Sequence, residues 1–194
     1  MIASHNILGV FAHHKAQCEG IAKAVKVLLN AVDVKCIVVN GDSVKNGQCV
    51  PHAWNIVNID GEPYQLDVTW DIGTIEQNKH HIVYDYFNLT DELMNQDHKA
   101  DSSLPICRSK KANYYVQRGC SFQMRHQLME YIDKLIEKNE KIYEFRAEGR
   151  LNKVAIEKEV ADYIVQKLQA YGRSCGRVRT SSNRGLGIHR IEIL

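Results

Sequence analysis

The sequence predicts an α+β fold in two parts, and three observations lead to this expectation. A cysteine opens an amphipathic helix, two alternating stretches flank an Asp-Gly turn, and the net charge changes sign near residue 105. The first two observations predict a core in which the cysteine-bearing helix packs on an antiparallel sheet. The third predicts a smaller α/β two-layer sandwich, with the domain boundary between residues 106 and 107.

The predicted helix begins at Cys18. Apolar residues recur at helical spacing from Ile21 to Leu29, which is typical of a helix with one face on a core. Residues 30–33 are expected to end it, and residues 34–40 to form the first strand. A thiol at the start of a helix lies near unpaired N–H groups and the positive end of the helix dipole, which favour thiolate.

A hairpin is predicted around Asp60-Gly61, a pair that is common at the centre of two-residue turns. Its strands are expected at 52–58 and 63–68. In this register His52 faces Thr69, and Asp67 lies two residues back on the same face, within reach of the His52 side chain. A one-residue slip would put His52 and Asp67 on opposite faces. The spacing therefore predicts a histidine–carboxylate pair.

Three motifs in this order resemble the transglutaminase-like superfamily: Cys-Glu-Gly at 18–20, His-Ala-Trp-Asn at 52–55 and Asp-Val-Thr-Trp-Asp at 67–71. The resemblance covers about residues 5–100, or half of the chain. It implies a papain-like core with a catalytic triad of Cys18, His52 and Asp67.

The resemblance also implies a reaction. Cys18 would attack an amide carbonyl of a protein or peptide and form a thioester, with His52 moving the proton and Asp67 orienting the imidazole. Water as acceptor would make a peptidase or amidase, and an amine would make a transglutaminase; both stay open. The Cys18 N–H would be an oxyanion donor, with Asn6 as a candidate for the second. No cofactor or metal is implied.

Several alternatives stand beside this interpretation. The triad fold could be a binding module without catalysis. His13, His14 and Cys18 offer zinc-ligand chemistry, although loop histidines are more often ordinary surface residues. Trp54 and Trp70 are each interpreted as residues that pack in the core, and a place in the wall of a substrate cleft is the alternative.

The charge pattern separates the two parts. Residues 1–106 contain 7 lysines, no arginine and 13 acids, a net charge of −6, and residues 107–194 contain 18 basic and 10 acidic residues, a net charge of +8. A basic domain with Tyr114 and Tyr115 on a sheet face invites comparison with RNA binders, but the aromatic signature of those domains is absent. Contact with the acidic first domain, an anionic cell wall or another partner is therefore favoured over nucleic acid for this basic domain, and the oligomeric state is left open.

The remaining elements follow local patterns. The basic part is predicted as βαβαββ, with strands at 112–118, 141–147, 176–180 and 187–194, helices at 122–138 and 153–171, and a turn at 182–185. In the first part, 41–51 and 72–83 are predicted loops, 84–89 is a predicted strand, and Thr90 is expected to cap a short helix through its side chain.

Composition limits the compartment only weakly. No apolar run approaches the ~20 residues that span a bilayer, and no signal peptide is evident in the chain. Six scattered cysteines without a Cys-x-x-Cys pair argue against a structural zinc site or a disulfide framework. Because members of the resembled family are often exported, the location is left open, and the chain is expected to be an N-terminally trimmed form of a longer protein.

Overall fold

The computed structural model describes residues 5–45, 47–75, 83–101, 103–153 and 155–194. It divides into two compact units, Met1–Tyr114 and Tyr115–Leu194. Each unit contains helices and one four-stranded sheet. The protein is therefore of the α+β class.

Unit 1 contains an antiparallel sheet in the order β3-β2-β1-β4. Its strands are β1 (Cys36–Lys45), β2 (Gln48–Ile59), β3 (Glu62–Leu66) and β4 (His98–Ala100). Its helices are α1 (Ile7–Phe11), α2 (Cys18–Asn30), α3 (Val68–Ile75) and α4 (Asp91–Met94), and a further short helix, α5 (Tyr114–Gln117), follows.

The predicted cysteine-bearing helix is confirmed, since α2 begins at Cys18. The buried residues of α2 are small: Gly20, Ala22 and Ala24. Val25 and Leu29 pack on a buried cluster from the sheet, formed by Cys36, Val57, Tyr64 and Leu66. This apolar contact fixes α2 against β1, β2 and β3.

The hairpin register is confirmed as well. Ile59 pairs with Glu62 and Asn55 pairs with Leu66. The turn residues Asp60 and Gly61 both have positive φ, 52° and 84°, as a two-residue type I′ turn requires.

The second strand of the hairpin is shorter than predicted. It ends at Leu66, and the expected strand through Val68 is wrong because α3 begins there. The cause is Asp67, whose Oδ1 accepts the N–H groups of Thr69 at 2.9 Å and Trp70 at 3.2 Å. These are the bonds of a helix N-cap. The pairing of β2 with β3 therefore ends before His52, which does not face Thr69. The sheet partner of His52 is Gly41, on β1.

Two other local predictions in unit 1 are wrong. Within the predicted loop at 41–51, residues 41–45 and 48–51 are strand, because β1 and β2 continue to pair beyond residue 40 and β4 adds to the outer edge of β1. Residue 46 lies outside the described residues. The predicted strand at 84–89 is a series of turns, with a positive φ of 55° at Asn88 and a single bridge between Leu89 and Gln65. In the predicted loop at 72–83, residues 72–75 are helical, and 76–82 lie outside the described residues.

The helix predicted after Thr90 is present as α4, and Thr90 is its N-cap residue. The Thr90 side chain makes no capping hydrogen bond, however. Its hydroxyl is buried without a hydrogen-bond partner among the described residues. The expected side-chain cap is therefore wrong, although the helix itself is confirmed.

Unit 2 has the element order βαβαββ, but its first strand is not the predicted one at 112–118. Its elements are β5 (Ser121–Phe122), α6 (Arg125–Glu137), β6 (Ile142–Ala147), α7 (Ile156–Ala170), β7 (Val178–Asn183) and β8 (Ile188–Ile193). The sheet order is β5-β6-β8-β7, with β5 parallel to β6 and the other pairs antiparallel. The turn before β8 lies at 184–187 and not at 182–185, because β7 continues to Asn183.

The strand predicted at 112–118 is wrong, because the segment forms α5. Tyr115 is wholly buried, and the Tyr114 ring stacks on that of Tyr84 with centroids 4.1 Å apart. The β-propensity of the Tyr-Tyr-Val run is therefore overridden by packing. The two tyrosines do not lie on a sheet face, which removes the main analogy with RNA-binding sheets.

Membrane insertion through a helix finds no support in the part of the chain that the structure describes. None of its helices combines the length and apolarity that crossing a bilayer requires.

Candidate active site

Asp67 is the centre of the candidate site. It lies between β3 and α3, and its side chain is fully buried. One carboxylate oxygen, Oδ1, caps α3 as described above. The other, Oδ2, lies 2.7 Å from Nε2 of His52 and 3.1 Å from Nε2 of His98. All acceptor positions of a carboxylate are thus in use.

These contacts keep Asp67 ionised. Burial alone would raise the pKa of its carboxyl group, but the hydrogen bonds and positive charge of His52 and His98 outweigh burial and lower that pKa. The N-terminus of α3 favours the same charged form. Asp67 is therefore a buried carboxylate and an acceptor for both rings.

His52 lies on β2 and is 9% exposed. Because Asp67 is an acceptor, the shared hydrogen bond requires the proton on His52 Nε2. This fixes the tautomer of the neutral ring and leaves Nδ1 as its basic atom. The predicted pairing of His52 with Asp67 is present in the structure.

His98 was not anticipated from the sequence. It lies on the three-residue strand β4, which pairs with β1. Its Nε2 contacts Asp67, and its Nδ1 lies 2.6 Å from Oδ1 of Asp97. Sequence spacing does not relate His98 to Asp67, because the two residues are 31 positions apart. The only signal of a second histidine–carboxylate pair in the sequence was the adjacent Asp97 and His98.

Aromatic rings enclose the two imidazoles. Trp54 is 2% exposed, and its ring stacks near His52 with centroids 6.1 Å apart. The Trp70 ring lies 6.0 Å from that of His52 and 4.6 Å from that of His98. The Tyr86 ring lies 5.6 Å from that of His98 and 4.9 Å from that of Trp70. Trp54 packs in the core as expected, while Trp70 is half-buried at the site.

Cys18 lies at the first position of α2 and is half-buried. The N–H of a first-turn residue has no acceptor inside its own helix. In the described part of the chain, the structure records no hydrogen bond between the Cys18 thiol and His52. Asn6 acts as the N-cap of α1, where its Oδ1 accepts the Leu8 N–H at 2.9 Å.

The packing of α2 on the sheet orients Cys18. Asn55 on β2 donates a side-chain hydrogen bond to the Ala22 carbonyl at 3.0 Å, one helical turn after Cys18. At the other end of α2, Asn30 accepts the N–H of Cys36 at 3.2 Å, and Cys36 is the sheet partner of Val57. The end of α2 that carries Cys18 therefore lies towards the end of β2 that carries His52, and the other end of α2 lies near Val57.

The other cysteines divide into two classes. Burial raises the pKa of the Cys107 and Cys120 thiols to about 12. Burial also raises the pKa of the Cys36 thiol, against an opposing hydrogen bond from Asn55. Cys49 is exposed and Cys175 is half-buried. Of the six thiols, the three with raised pKa values are therefore the least reactive.

His52, Asp67 and His98 offer three potential ligand atoms within 4.8 Å of one another. A divalent ion could be held by such a set. In the structure, however, Asp67 Oδ2 contacts both ring nitrogens directly, so hydrogen bonds satisfy the three groups. We therefore assign them to a hydrogen-bonded network. Among the described residues, His13, His14 and Cys18 do not come together in this way.

No protein-family model matches this chain, and no curated protein matches it at a significant level. The site must therefore be interpreted from its own geometry.

Gly41 allows β4 to reach the sheet. A Cβ atom at this position would collide with the Lys99 carbonyl group and approach Ala100 within 2.9 Å. Gly41→Ala is therefore expected to lower the free energy of unfolding of unit 1 by about 1–3 kcal/mol and to loosen His98 from Asp67. Urea unfolding monitored by tryptophan fluorescence measures this change, since both tryptophans of the chain lie in unit 1.

The matched control for Gly41→Ala is Asn40→Ala, whose side chain is exposed on the same strand. This control should change stability by no more than about 0.5 kcal/mol. Equal losses in the two variants would contradict the close-packing argument.

Proposed function

We propose that unit 1 is a transglutaminase-like domain that transfers acyl groups from amides through a thioester on Cys18. The observation that carries this proposal is the buried hydrogen bond of 2.7 Å between His52 and Asp67. Supporting it, the cysteine begins a helix that packs on the strand of the histidine.

The first half of the proposed reaction forms the thioester. The Cys18 thiolate attacks the carbonyl carbon, the C–N bond breaks, and the His52 imidazolium gives its Nδ1 proton to the leaving amine. Asp67 keeps the His52 ring oriented through Nε2 and stabilises its cationic form. The Cys18 N–H donates to the developing oxyanion.

The second half regenerates the enzyme. Neutral His52 takes a proton from water or from an amine as that molecule attacks the thioester carbonyl. The C–S bond breaks, Cys18 leaves as thiolate, and His52 is again protonated. Water gives a carboxylic acid, and an amine gives a new amide. The acyl donor is a protein or peptide amide in this proposal.

A second candidate function is a binding module of the same fold without catalysis. It is favoured by one observation, that the Cys18 thiol makes no hydrogen bond to His52 among the described residues. It predicts a cysteine of ordinary reactivity and no acyl-enzyme.

An activated ester, p-nitrophenyl acetate, tests the proposal. Intact-mass and peptide mass spectrometry should detect one acetyl group on Cys18 that neutral hydroxylamine removes, as expected of a thioester. Cys18→Ala should lose this adduct, while Cys49→Ala, the control at an exposed thiol, should keep it. Faster release with an added primary amine than with water alone would indicate transfer over hydrolysis. Absence of the Cys18 adduct in the unmodified protein would overturn the proposal.

A further inference from the structure

A continuous chain of hydrogen bonds connects His52 to a tyrosine. Asp67 Oδ2 contacts Nε2 of His52 at 2.7 Å and Nε2 of His98 at 3.1 Å. His98 Nδ1 then contacts Oδ1 of Asp97 at 2.6 Å, and the Tyr86 hydroxyl donates to Oδ2 of Asp97 at 2.6 Å. His98 therefore lies between two carboxyl groups, one on each ring nitrogen.

The positions of the protons follow from the acceptors. A carboxylate only accepts hydrogen bonds, so the contact with Asp67 requires a proton on His98 Nε2. The contact with Asp97 requires a second proton on Nδ1 if Asp97 is ionised. Asp97 also accepts the Tyr86 hydroxyl through Oδ2, and its side chain is 23% exposed, whereas that of His98 is fully buried. With both nitrogens protonated, His98 is a cation.

The electrostatic balance agrees with this assignment. Burial alone disfavours the charged ring and would lower the pKa of His98. The hydrogen bonds and charges of Asp67 and Asp97 outweigh burial, so the pKa of His98 is raised above its ordinary value. Such an imidazolium would stand beside His52, with the ring centroids 5.3 Å apart.

We propose that His98 is a positioning residue: a protonated imidazolium that holds Asp67 in place and neutralises part of its charge. His52 then shares the negative charge of Asp67 Oδ2 with a second, cationic partner. The charge of His98 rests on its two hydrogen bonds and on an ionised Asp97, while its value for acyl transfer rests on the function proposed above.

The ionisable groups around the two rings come from several elements. Asp67 precedes α3 and Asp97 precedes β4, and both contact the rings directly. The negative charge of Asp67 acts on Asp71, which lies on α3. Three groups remain. The charge of Asp85 acts on Asp71, the Tyr86 hydroxyl donates to Asp97, and Cys18 lies at the start of α2.

Nuclear magnetic resonance of the histidine rings tests the charge directly, in the intact 194-residue chain dialysed against a metal chelator. At pH 7 the two ring nitrogens of His98 should show the ¹⁵N shifts of a doubly protonated ring. Resonances of His52 and His98 are assigned by comparison with His52→Gln and His98→Gln. A neutral His98 at pH 7 would overturn the proposal.

Two variants test the effect on His52. In His98→Gln the amide can still donate to Asp67 but carries no charge, so the measured pKa of His52 should rise by at least about one unit. Asp97→Asn should let His98 lose its second proton and raise the pKa of His52 in the same direction. His13→Gln, an exposed histidine, is the matched control and should leave it unchanged.

An unchanged or lowered pKa of His52 in both folded variants would refute the charge coupling. If His98→Gln fails to fold, Asp97→Asn still decides the matter. The catalytic part has its own readout, because the alkaline limb of the pH profile of turnover should move upward with the pKa of His52. Absence of turnover in the unmodified protein would count against the acyl-transfer function and leave the NMR result standing.

Discussion

Replacement of Asp71 by asparagine is expected to remove a large contribution to the pH dependence of the stability of unit 1, a loss of stability as pH rises from about 4 to about 8. Asp71 lies on α3 and is 7% exposed. Its Oδ1 accepts the Tyr86 N–H at 2.8 Å. Burial, reinforced by the charges of Asp85 and Asp67, raises the pKa of its carboxyl group from 3.8 to about 8, although backbone N–H groups of Tyr86 and Asp85 oppose the shift.

The sign follows from proton linkage. Between its unfolded pKa of 3.8 and its folded pKa of about 8, Asp71 is protonated in the folded state and ionised in the unfolded state. The folded state therefore binds more protons, and stability falls as pH rises through this window. The loss is about 1.4 kcal/mol per pH unit, and its total is on the order of 5 kcal/mol. Asparagine cannot ionise, so Asp71→Asn lacks this loss.

Tryptophan-fluorescence urea unfolding at pH 5, 6, 7, 8 and 9 measures the effect as the difference between the variant and the unmodified protein. Taking the difference cancels the titration of other groups, including the lowered pKa of Asp67 and the raised pKa of His98. The stability advantage of Asp71→Asn should grow up to about pH 8 and then level off. The control is Asp60→Asn, in the exposed hairpin turn, whose difference in stability from the unmodified protein should not change with pH. A difference for Asp71→Asn that is equally constant would show that the Asp71 carboxyl is not a buried acid.

The His52–Asp67 pair was predictable because two local rules agree on it. The Asp60-Gly61 turn sets the register of the hairpin, and the two-residue period of a strand sets the face. Asp67 then reaches His52 even though it lies just after β3 and not within it. The prediction failed one residue later, where the β-branched Val68 and Thr69 favour a strand but the Asp67 cap starts α3.

His98 could not be predicted for the opposite reason. It lies on a strand of three residues whose place beside β1 depends on long-range pairing, and no period in the sequence reports such a contact. The same limit applies to Tyr114 and Tyr115, since their local preference for strand is overridden by burial. By contrast, α6 and α7 each present a full apolar stripe to their core, which periodicity detects.

Alkylation by iodoacetamide at pH 6 is expected to modify Cys18 on the order of 10–100 times faster than Cys49. The start of α2 favours the thiolate of Cys18, the proposed pairing with the His52 imidazolium would favour it further, and only thiolate reacts. Cys49 is the internal reference because it is exposed. Cys107 and Cys120 should react slowest, since burial raises their pKa values to about 12.

The role of His52 in this reactivity is tested with His52→Ala, which should bring the labelling rate of Cys18 at pH 6 down towards that of Cys49. The matched control is His13→Ala, at an exposed loop position, which should leave the ratio unchanged. Rates for each cysteine come from peptide mass spectrometry over time, from pH 5 to pH 9. Because labelling needs no substrate, it reports on the thiolate even where turnover is slow. Equal labelling of Cys18 in the unmodified protein and in His52→Ala across this range would exclude a working Cys18–His52 pair and favour the non-catalytic binding module.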